Sequence, residues 1–447
     1  MNIFFVSLGC DKNLVDSENM LGILHSNGYQ ITQEEQKADI IIINTCCFIH
    51  DAKQESINTI LEMAEYKKSG SCKALIVAGC LAERYKEEIL REIPEVDALM
   101  GTASFTGILQ VIEELTEGQK LSRFDSLNLP PVAATGRILT SGTHYAYLKI
   151  AEGCDKHCTY CVIPRVRGNY RSIPMEDLLA EAKYLSEQGV KELILVAQET
   201  TLYGYDLYGR KALPELLSKL AELPGIAWIR ILYCYPEEIT DELIEVMKKE
   251  PKICHYLDIP IQHASDRILK LMGRRTDRAA LEYIIAKLRR EIPDIILRTT
   301  LITGFPTETE EDHKELLDFV EMQHFDRLGV FTYSKEEDTP AAKLKPQILA
   351  KVKKQRQKEL MKLQQAVVFT AARSRFGNTY EVLIEGRVTE EENLYLGRTY
   401  MDAPQVDGYL FFHAEEELLS GDMVKVKVTQ AKGYDLVGEL VKGREEE

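Results

Sequence analysis

Glu152-Gly153-Cys154-Asp155-Lys156-His157-Cys158-Thr159-Tyr160-Cys161-Val162-Ile163-Pro164-Arg165-Val166-Arg167-Gly168 places three cysteines at C-x3-C-x2-C spacing. Thiolates on so short a loop converge on one iron-sulfur cube, and three of them satisfy only three irons of a four-iron cluster. The fourth iron keeps an open coordination position, which points to chemistry at the cluster. Structural zinc, with His157 as fourth ligand, is the competing reading. His157 immediately precedes Cys158, a poor arrangement for a closed tetrahedron, and zinc sites usually pair two C-x2-C units or a C-x2-C with H-x3-H.

The chain after this loop alternates strands and helices. Strands are predicted over 143–150, 191–197, 226–233, 255–261, 294–303 and 327–333, with helices over 174–188, 212–222, 238–249, 264–291 and 309–322. In the first helix Met175, Leu178, Leu179, Ala182 and Leu185 share one face, with Pro174 at its start and Gly189 past its end. Six strands with crossover helices predict a parallel sheet curled into a partial (β/α)6 barrel over 143–342, open because it stops short of eight. The cysteine loop leaves the carboxyl end of the first strand, where a barrel's active site belongs. Polar residues share that edge: Gln198, Glu199 and Thr200 after the second strand, Asp258 and Gln262 around the fourth, Arg298 and Gly304 along the fifth. Such groups suit a ligand with an amine, a carboxylate and a ribose, although for each alone a surface or turn-capping role competes. Arg165 and Arg167 offer cationic partners for carboxylates, and Gly168 permits close backbone approach.

Upstream, residues 3–8, 38–45 and 74–79 are apolar runs that read as strands of an open parallel α/β sheet within 1–116. They end at Cys10, Cys46 and Cys80 respectively. In such a sheet the ligand crevice lies at the carboxyl ends of the strands, so three thiols distant in sequence can meet there. One such cysteine reads as a small buried hydrophobe; three at equivalent strand ends favour a second cluster. Cys46 is preferred to Cys47 because it comes first after its strand, and Cys72, Cys234 and Cys254 read as structural.

Residues 117–142, with Pro130-Pro131 and a Thr/Ser/Gly-rich tail, read as a linker. Residues 343–375 read as a basic amphipathic connecting helix, largely solvated. From 376 to 447, period-2 runs predict five short strands and a small antiparallel β-barrel, OB-like. That segment holds 7 Lys+Arg against 16 Asp+Glu, so it repels phosphate and attracts a basic protein. The whole chain of 447 residues, 28% charged with a formal charge of -16, predicts an α/β protein that is no general nucleic-acid binder. The N-terminus lacks a signal-peptide pattern and no apolar run is long enough to span a bilayer. Ten cysteines then read as metal ligands and buried thiols. A cytoplasmic monomer with no membrane partner is expected.

The cysteine spacing, with Tyr160 just before the third cysteine, resembles the signature of the radical S-adenosylmethionine (SAM) superfamily. The whole chain resembles one family within it, the methylthiotransferases. The matching segments are Ser7-Leu8-Gly9-Cys10, Asn44-Thr45-Cys46, Ala78-Gly79-Cys80, the 152–168 loop and Gly304-Phe305-Pro306-Thr307-Glu308. Cys10-Asp11-Lys12-Asn13-Leu14-Val15-Asp16-Ser17-Glu18 and Gly397-Arg398-Thr399-Tyr400-Met401-Asp402-Ala403-Pro404 resemble the RimO branch, which modifies an aspartate of small-subunit ribosomal protein twelve. The resemblance implies an N-terminal cluster domain, a radical SAM barrel and a C-terminal TRAM barrel, with two 4Fe-4S clusters and SAM as cofactors. It implies that the cluster at Cys154, Cys158 and Cys161 cleaves SAM to the 5'-deoxyadenosyl radical, which takes a hydrogen from the aspartate β-carbon. Cys10, Cys46 and Cys80 would hold the cluster bearing the sulfur that a second SAM methylates. SAM contacts are expected from Tyr160, Gln198, Glu199, Asp258, Gln262, Arg298 and Gly304, while no side chain is assigned a catalytic role. The implied partners are the ribosomal protein, free or on the small subunit, and an unidentified electron donor. A transfer-RNA adenosine methylthiotransferase and a non-catalytic iron-sulfur scaffold or electron carrier are the alternatives.

Overall fold

Ile40, Ile41, Ile42 and Ile43 are fully or almost fully buried, as β-branched residues are when a strand is covered on both faces. In the computed structural model, which describes residues 1–116, 120–134, 136–389 and 391–441, they form the centre of the N-terminal sheet. Residues 117–119 and 135 of the expected linker, and 390 and 442–447 of the expected C-terminal barrel, lie outside the described residues. The sheet contains β1 (Asn2–Ser7), β2 (Gln30–Ile31), β3 (Ile40–Thr45), β4 (Ala74–Gly79), β5 (Ala98–Met100) and β6 (Leu121–Arg123), all parallel, in the order β2-β1-β3-β4-β5-β6. The strand order reverses between β1 and β3, which opens a crevice at their carboxyl ends. Two of the three expected cysteines leave the strands that flank that switch point.

β6 comes from the stretch expected to be a linker and pairs with β5 through Ala98 and Leu121. Three residues alternating apolar, polar and basic on a sheet edge carry too little periodicity to be read in advance. The same stretch buries Arg137 against Glu18 and Glu181, each at 3.3 Å, so it is packed between domains.

The second sheet is built from β7 (Tyr145–Lys149), β10 (Glu192–Val196), β11 (Trp228–Ile231), β12 (Ile253–Asp258), β13 (Ile296–Thr303) and β14 (Arg327–Thr332). Between the first two, β8 (Ala151–Glu152) and β9 (Arg171–Ser172) form an antiparallel ribbon that brackets the cysteine loop. The six long strands are parallel in the order β14-β13-β12-β11-β10-β7, the partial barrel anticipated from the alternation. Their outward residues, among them Leu148, Leu195, Ile231 and Leu257, pack under the crossover helices. Each such side chain contributes roughly 1.5–3 kcal/mol by burial. The inward residues Tyr147, Ile194, Trp228 and Tyr256 pack instead against the C-terminal domain.

That domain is a closed barrel of β15 (Thr379–Arg387), β16 (Leu394–Arg398), β17 (Leu410–His413), β18 (Met423–Lys432) and β19 (Asp435–Leu440), in the order β15-β16-β17-β19-β18. Four pairings are antiparallel, but β17 and β19 run parallel, a departure from the wholly antiparallel expectation. Parallel closure lets five strands form a ring without a free edge. Residues 397–407 enter the open barrel at the amino ends of its strands. Arg398 meets Glu192 at 2.7 Å with both side chains fully buried, Arg230 donates to the Tyr400 carbonyl at 2.7 Å, and the Tyr256 hydroxyl donates to Asp407 at 2.7 Å. The C-terminal domain therefore forms the floor of the central barrel.

The helix Ala350–Arg373 also departs from expectation. Arg356, Leu360, Gln364, Val368 and Ala372 are buried at helical spacing against β14 and the helix Glu310–Gln323. Two of these five are polar, which masks the stripe in the sequence: Arg356 pairs with Glu308 at 2.9 Å and Gln364 donates to the Phe325 carbonyl at 2.6 Å. No helix among the described residues is long and apolar enough to cross a membrane.

Replacing Arg398 with alanine removes one of the two cations on the buried Glu192 carboxylate and leaves Arg230 as its partner, so the expected cost is about 3 kcal/mol, the low end for breaking a buried ion pair. Chemical denaturation should show that loss, with proteolysis at residues 374–378 as the C-terminal domain undocks. Adding Glu192→Leu to Arg398→Met should deepen the loss rather than relieve it, because the fully buried Arg230 then loses its carboxylate as well.

Candidate functional site

Local backbone geometry brings the N-terminal cysteines to one edge. Gly9 has φ +93°, and a Cβ there would lie 2.7 Å from the Cys46 Cβ and 3.1 Å from its sulfur. Gly79, at φ +90°, would drive a Cβ into Asn44 and Thr45. Glycine before Cys10 and before Cys80 thus lets strand ends approach that any side chain would hold apart. Asn13 ties two of these ends together by donating to the Leu8 carbonyl at 2.6 Å and the Thr45 carbonyl at 3.2 Å. Cys46 and Cys80 are buried while Cys10 is exposed, and Cys46 and Cys80 each interact electrostatically with Cys10 and with Arg167. Cys47 points away, its thiol donating to the Cys80 carbonyl at 3.1 Å within an apolar cluster.

The central loop is fastened from both sides. Cys154 N–H donates to the Gly168 carbonyl at 3.1 Å, Thr159 N–H to Met272 at 2.9 Å, and Ala341 N–H to Thr159 at 2.9 Å. Cys154 and Cys158 are buried and Cys161 half-buried, whereas His157 is exposed, which disfavours it as a fourth ligand. The amide groups of Lys156 and Ile163 point at the sulfurs of Cys154 (3.5 Å) and Cys161 (3.4 Å). Burial pushes Cys154 up to about 12 and raises Cys46, Cys80 and Cys161 as well. It acts equally on Cys254, so convergence rather than acidity singles out the ligand candidates. Among the described residues no three side chains already form a metal cage; each set is gathered rather than locked.

A buried network of charges joins the two sets. Arg167, at the end of the cysteine loop, donates to Asp16 at 2.7 Å, to Glu152 at 3.0 Å and to the Asn13 side-chain oxygen at 2.7 Å. Lys149 pairs with Asp16 and, at 3.0 Å, with Glu152. Burial alone would raise the Glu152 carboxyl, but Arg167 and Lys149 hold it well below the usual carboxylate range. The sequence offers Arg167 only as a generic cation for carboxylates and passes over Lys149, Glu152, Asn13 and Asp16. A signal was present nonetheless: the helix Asp11–Ser26 is polar on too many sides for an ordinary surface helix, and Lys12, Asn13, Asp16, Ser17, Glu18 and Asn19 are all buried. A second contact, Arg84 to Glu336 at 2.9 Å, fixes the same two domains on the far side of the crevice.

The expected SAM-contacting residues divide. Gln198 donates to Glu152 at 2.8 Å and keeps a buried side-chain oxygen without a partner, as does Gln262. Such orphaned acceptors fit a ligand that brings hydroxyl or amino donors. Glu199 is buried, raised to about 7 by that burial against the pull of Lys156 at 3.6 Å. Tyr160 packs on the cluster of Phe305, Met272 and Tyr333, and Gly304 lies beneath the Lys353 side chain. Asp258 and Arg298 instead satisfy one another at 2.8 Å, with Asp407 of the C-terminal domain 3.7 Å from Arg298. Arg165 is exposed and sits 3.5 Å from Asp338.

A Gly9→Ala substitution should separate the two cysteine sets experimentally. With the first strand end displaced and the central loop untouched, bound iron should fall to about half of the wild-type content after anaerobic reconstitution. Full iron content in that variant would show that Cys10 and Cys46 do not share a centre.

Three family profiles match in succession: one described as an uncharacterized protein family, UPF0004, over residues 2–101, the radical SAM superfamily over 148–320 and the TRAM domain over 376–441. A Lachnoclostridium phytofermentans protein named ribosomal protein uS12 methylthiotransferase RimO is 65% identical, over 98% of this chain and 99% of its own. Proteins of the same name from Acetivibrio thermocellus and Clostridioides difficile are 52% and 50% identical, over 98% and 99% of this chain and 97% and 99% of theirs. In fold, the chain is similar to the radical S-adenosylmethionine methyltransferase TsrM of Kitasatospora setae, solved with cobalamin and a 4Fe-4S cluster bound. That likeness has a TM-score of 0.56 at 12% identity and covers 76% of this chain and 73% of the other. Identity across all three domains, on top of cysteines gathered at both sheet edges, makes the chain a member of the RimO family of radical SAM methylthiotransferases.

Proposed function

We propose that this protein adds a methylthio group to the β-carbon of an aspartate of ribosomal protein uS12. The observation that carries the reading is the buried network centred on Arg167, which ties the loop of Cys154, Cys158 and Cys161 to the edge carrying Cys10, Cys46 and Cys80. Two 4Fe-4S clusters and SAM supply, when bound, hydrogen abstraction and the transferable methylated sulfur. Cys154, Cys158 and Cys161 would hold the first cluster, with the Lys156 and Ile163 amides donating to the bound thiolates. Cys10, Cys46 and Cys80 would hold the second, and Arg167 offers its positive charge to that anionic centre.

The remaining residues bind and exclude. Gln198, Glu199 and Gln262 would receive the amine and hydroxyl donors of SAM, Tyr160 and Gly304 would wall it in, and the Asp258–Arg298 pair would border the site. The C-terminal floor and the Arg84–Glu336 contact keep solvent from the barrel interior, which radical chemistry requires because stray hydrogen donors quench it. The reading carries a cytoplasmic monomer that takes its electron from a separate donor. The acidic C-terminal segment suits a basic ribosomal protein better than a transfer RNA.

The test is reconstitution with uS12, SAM and a chemical reductant, followed by mass spectrometry of the target. Cys158→Ala should abolish 5'-deoxyadenosine formation, whereas Cys46→Ala should retain it and yield no methylthio product. Intact sulfur insertion by Cys46→Ala would sink the two-centre reading, and a mark appearing on transfer-RNA adenosine instead of uS12 would move the chain to another substrate.

A further inference from the structure

A cavity of about 350 Å³ opens between the carboxyl edges of the two parallel sheets. One wall is apolar and stiff, formed by Phe105, Pro130, Pro131 and Val132, the last 48% exposed. These prolines belong to the stretch that the sequence suggests is merely a linker. The floor is polar and holds three cations, Arg123, Lys149 and Arg171.

Their charges are not equally spoken for. Lys149 is paired with Asp16 and Glu152, and Arg123 lies 3.2 Å from Asp125. Arg171 makes no ion pair with any described residue; its guanidinium donates only to backbone carbonyls, those of Leu127 and of Arg167 (3.1 Å). A guanidinium has five N–H donors in a planar fork, so capacity remains for a carboxylate. Glu152, Asp155 and Asp206 act on Arg171 electrostatically, yet none of them forms an ion pair with it, and its buried Nε meets no acceptor. A half-buried cation with that donor unused, lining a small cavity beside an apolar wall, suits a ligand with one anionic group and an apolar neighbour. The volume lies at the lower end for ligand sites, enough for a side chain or two of an extended peptide. Glu152 in the cavity floor is also a partner of Arg167, which faces the N-terminal cysteines, and Lys149 shares Asp16 with that arginine. An anion held there is next to the place where sulfur would be delivered.

We propose that this cavity receives the acidic side chain of the target protein, and that Arg171 is the residue that binds its carboxylate. The inference rests on the function proposed above. Only carboxylates recognised at this spot are at issue, and SAM carries one too, so the test must tell the two sources apart.

Labelled uS12 is titrated with the cluster-loaded, unreduced full chain, and fluorescence anisotropy reports binding without turnover. Arg171→Gln should weaken binding about tenfold, the scale of a lost charge-assisted hydrogen-bond pair, and Arg171→Lys should recover part of it. A uS12 variant with asparagine at the modified aspartate should bind the wild-type chain about tenfold more weakly, yet bind Arg171→Gln no worse than native uS12 does. Affinity for SAM should be unchanged in both Arg171 variants. Equal binding of uS12 by wild type and Arg171→Gln overturns the proposal, as does continued discrimination between aspartate and asparagine by Arg171→Gln. Loss of SAM affinity overturns it too, since the cavity would then take the cofactor's carboxylate. If the wild-type chain places a methylthio mark on uS12 while any of these results holds, the cavity assignment alone falls; if no mark appears, the functional reading falls with it.

Discussion

Asp16, Lys149, Glu152 and Arg167 are four charges shut away from water at the boundary between the N-terminal and central domains. Taking each from water costs several kcal/mol, and their mutual attraction repays this only when every lone pair and N–H is engaged. Here the engagement is dense: two carboxylates share two cations, with Asn13 and Gln198 completing the set. The network is therefore weak as a source of net stability and strong as a source of geometry, because any other arrangement of the domains leaves a charge buried alone. It also fixes which faces meet, since Asp16 lies one and a half turns after Cys10 and Arg167 six residues after Cys161.

The C-terminal domain repeats that logic at the opposite end of the barrel. Arg398 shares Glu192 with Arg230, and Asp402 pairs with Arg327, so the floor is held by charges that water does not reach. Around them Tyr145, Tyr147, Trp228 and Tyr256 form one apolar cluster with the interior of the small barrel. The segment 397–404, which in the sequence serves as a mark of kinship with one branch, acts in the folded chain as a wedge.

Most of the architecture was legible because it is written in apolar runs. Strands such as β3 and β4, buried along their whole length, announce themselves, and so does a cysteine placed directly after each. The short strands at one end of the sheet did not: β5 and β6 have three residues each, and what makes them strands is their neighbours rather than their own pattern. The same holds for the site. Glycines before Cys10 and Cys80 could be seen, but a network made of Asn13, Asp16, Lys149, Glu152 and Arg167 leaves only the surplus of polar residues on the Asp11–Ser26 helix as a local trace, because its members come together only when two domains close. Arg171 escaped notice for a related reason. Its significance lies in what its guanidinium leaves unmade, a direct ion pair and a partner for its buried Nε, and one chain of letters does not display an absence in space.

The wedge has a geometric consequence. With the small barrel keyed into the floor by buried ion pairs and the cysteine loop keyed to the N-terminal domain, the three domains form a frame with little freedom to hinge. A partner gripped by the acidic C-terminal barrel would be held at a set distance from the barrel mouth. Such a frame would work as a ruler: on a large, folded target it would select the residue by its reach from the gripping surface, independently of the letters on either side of it.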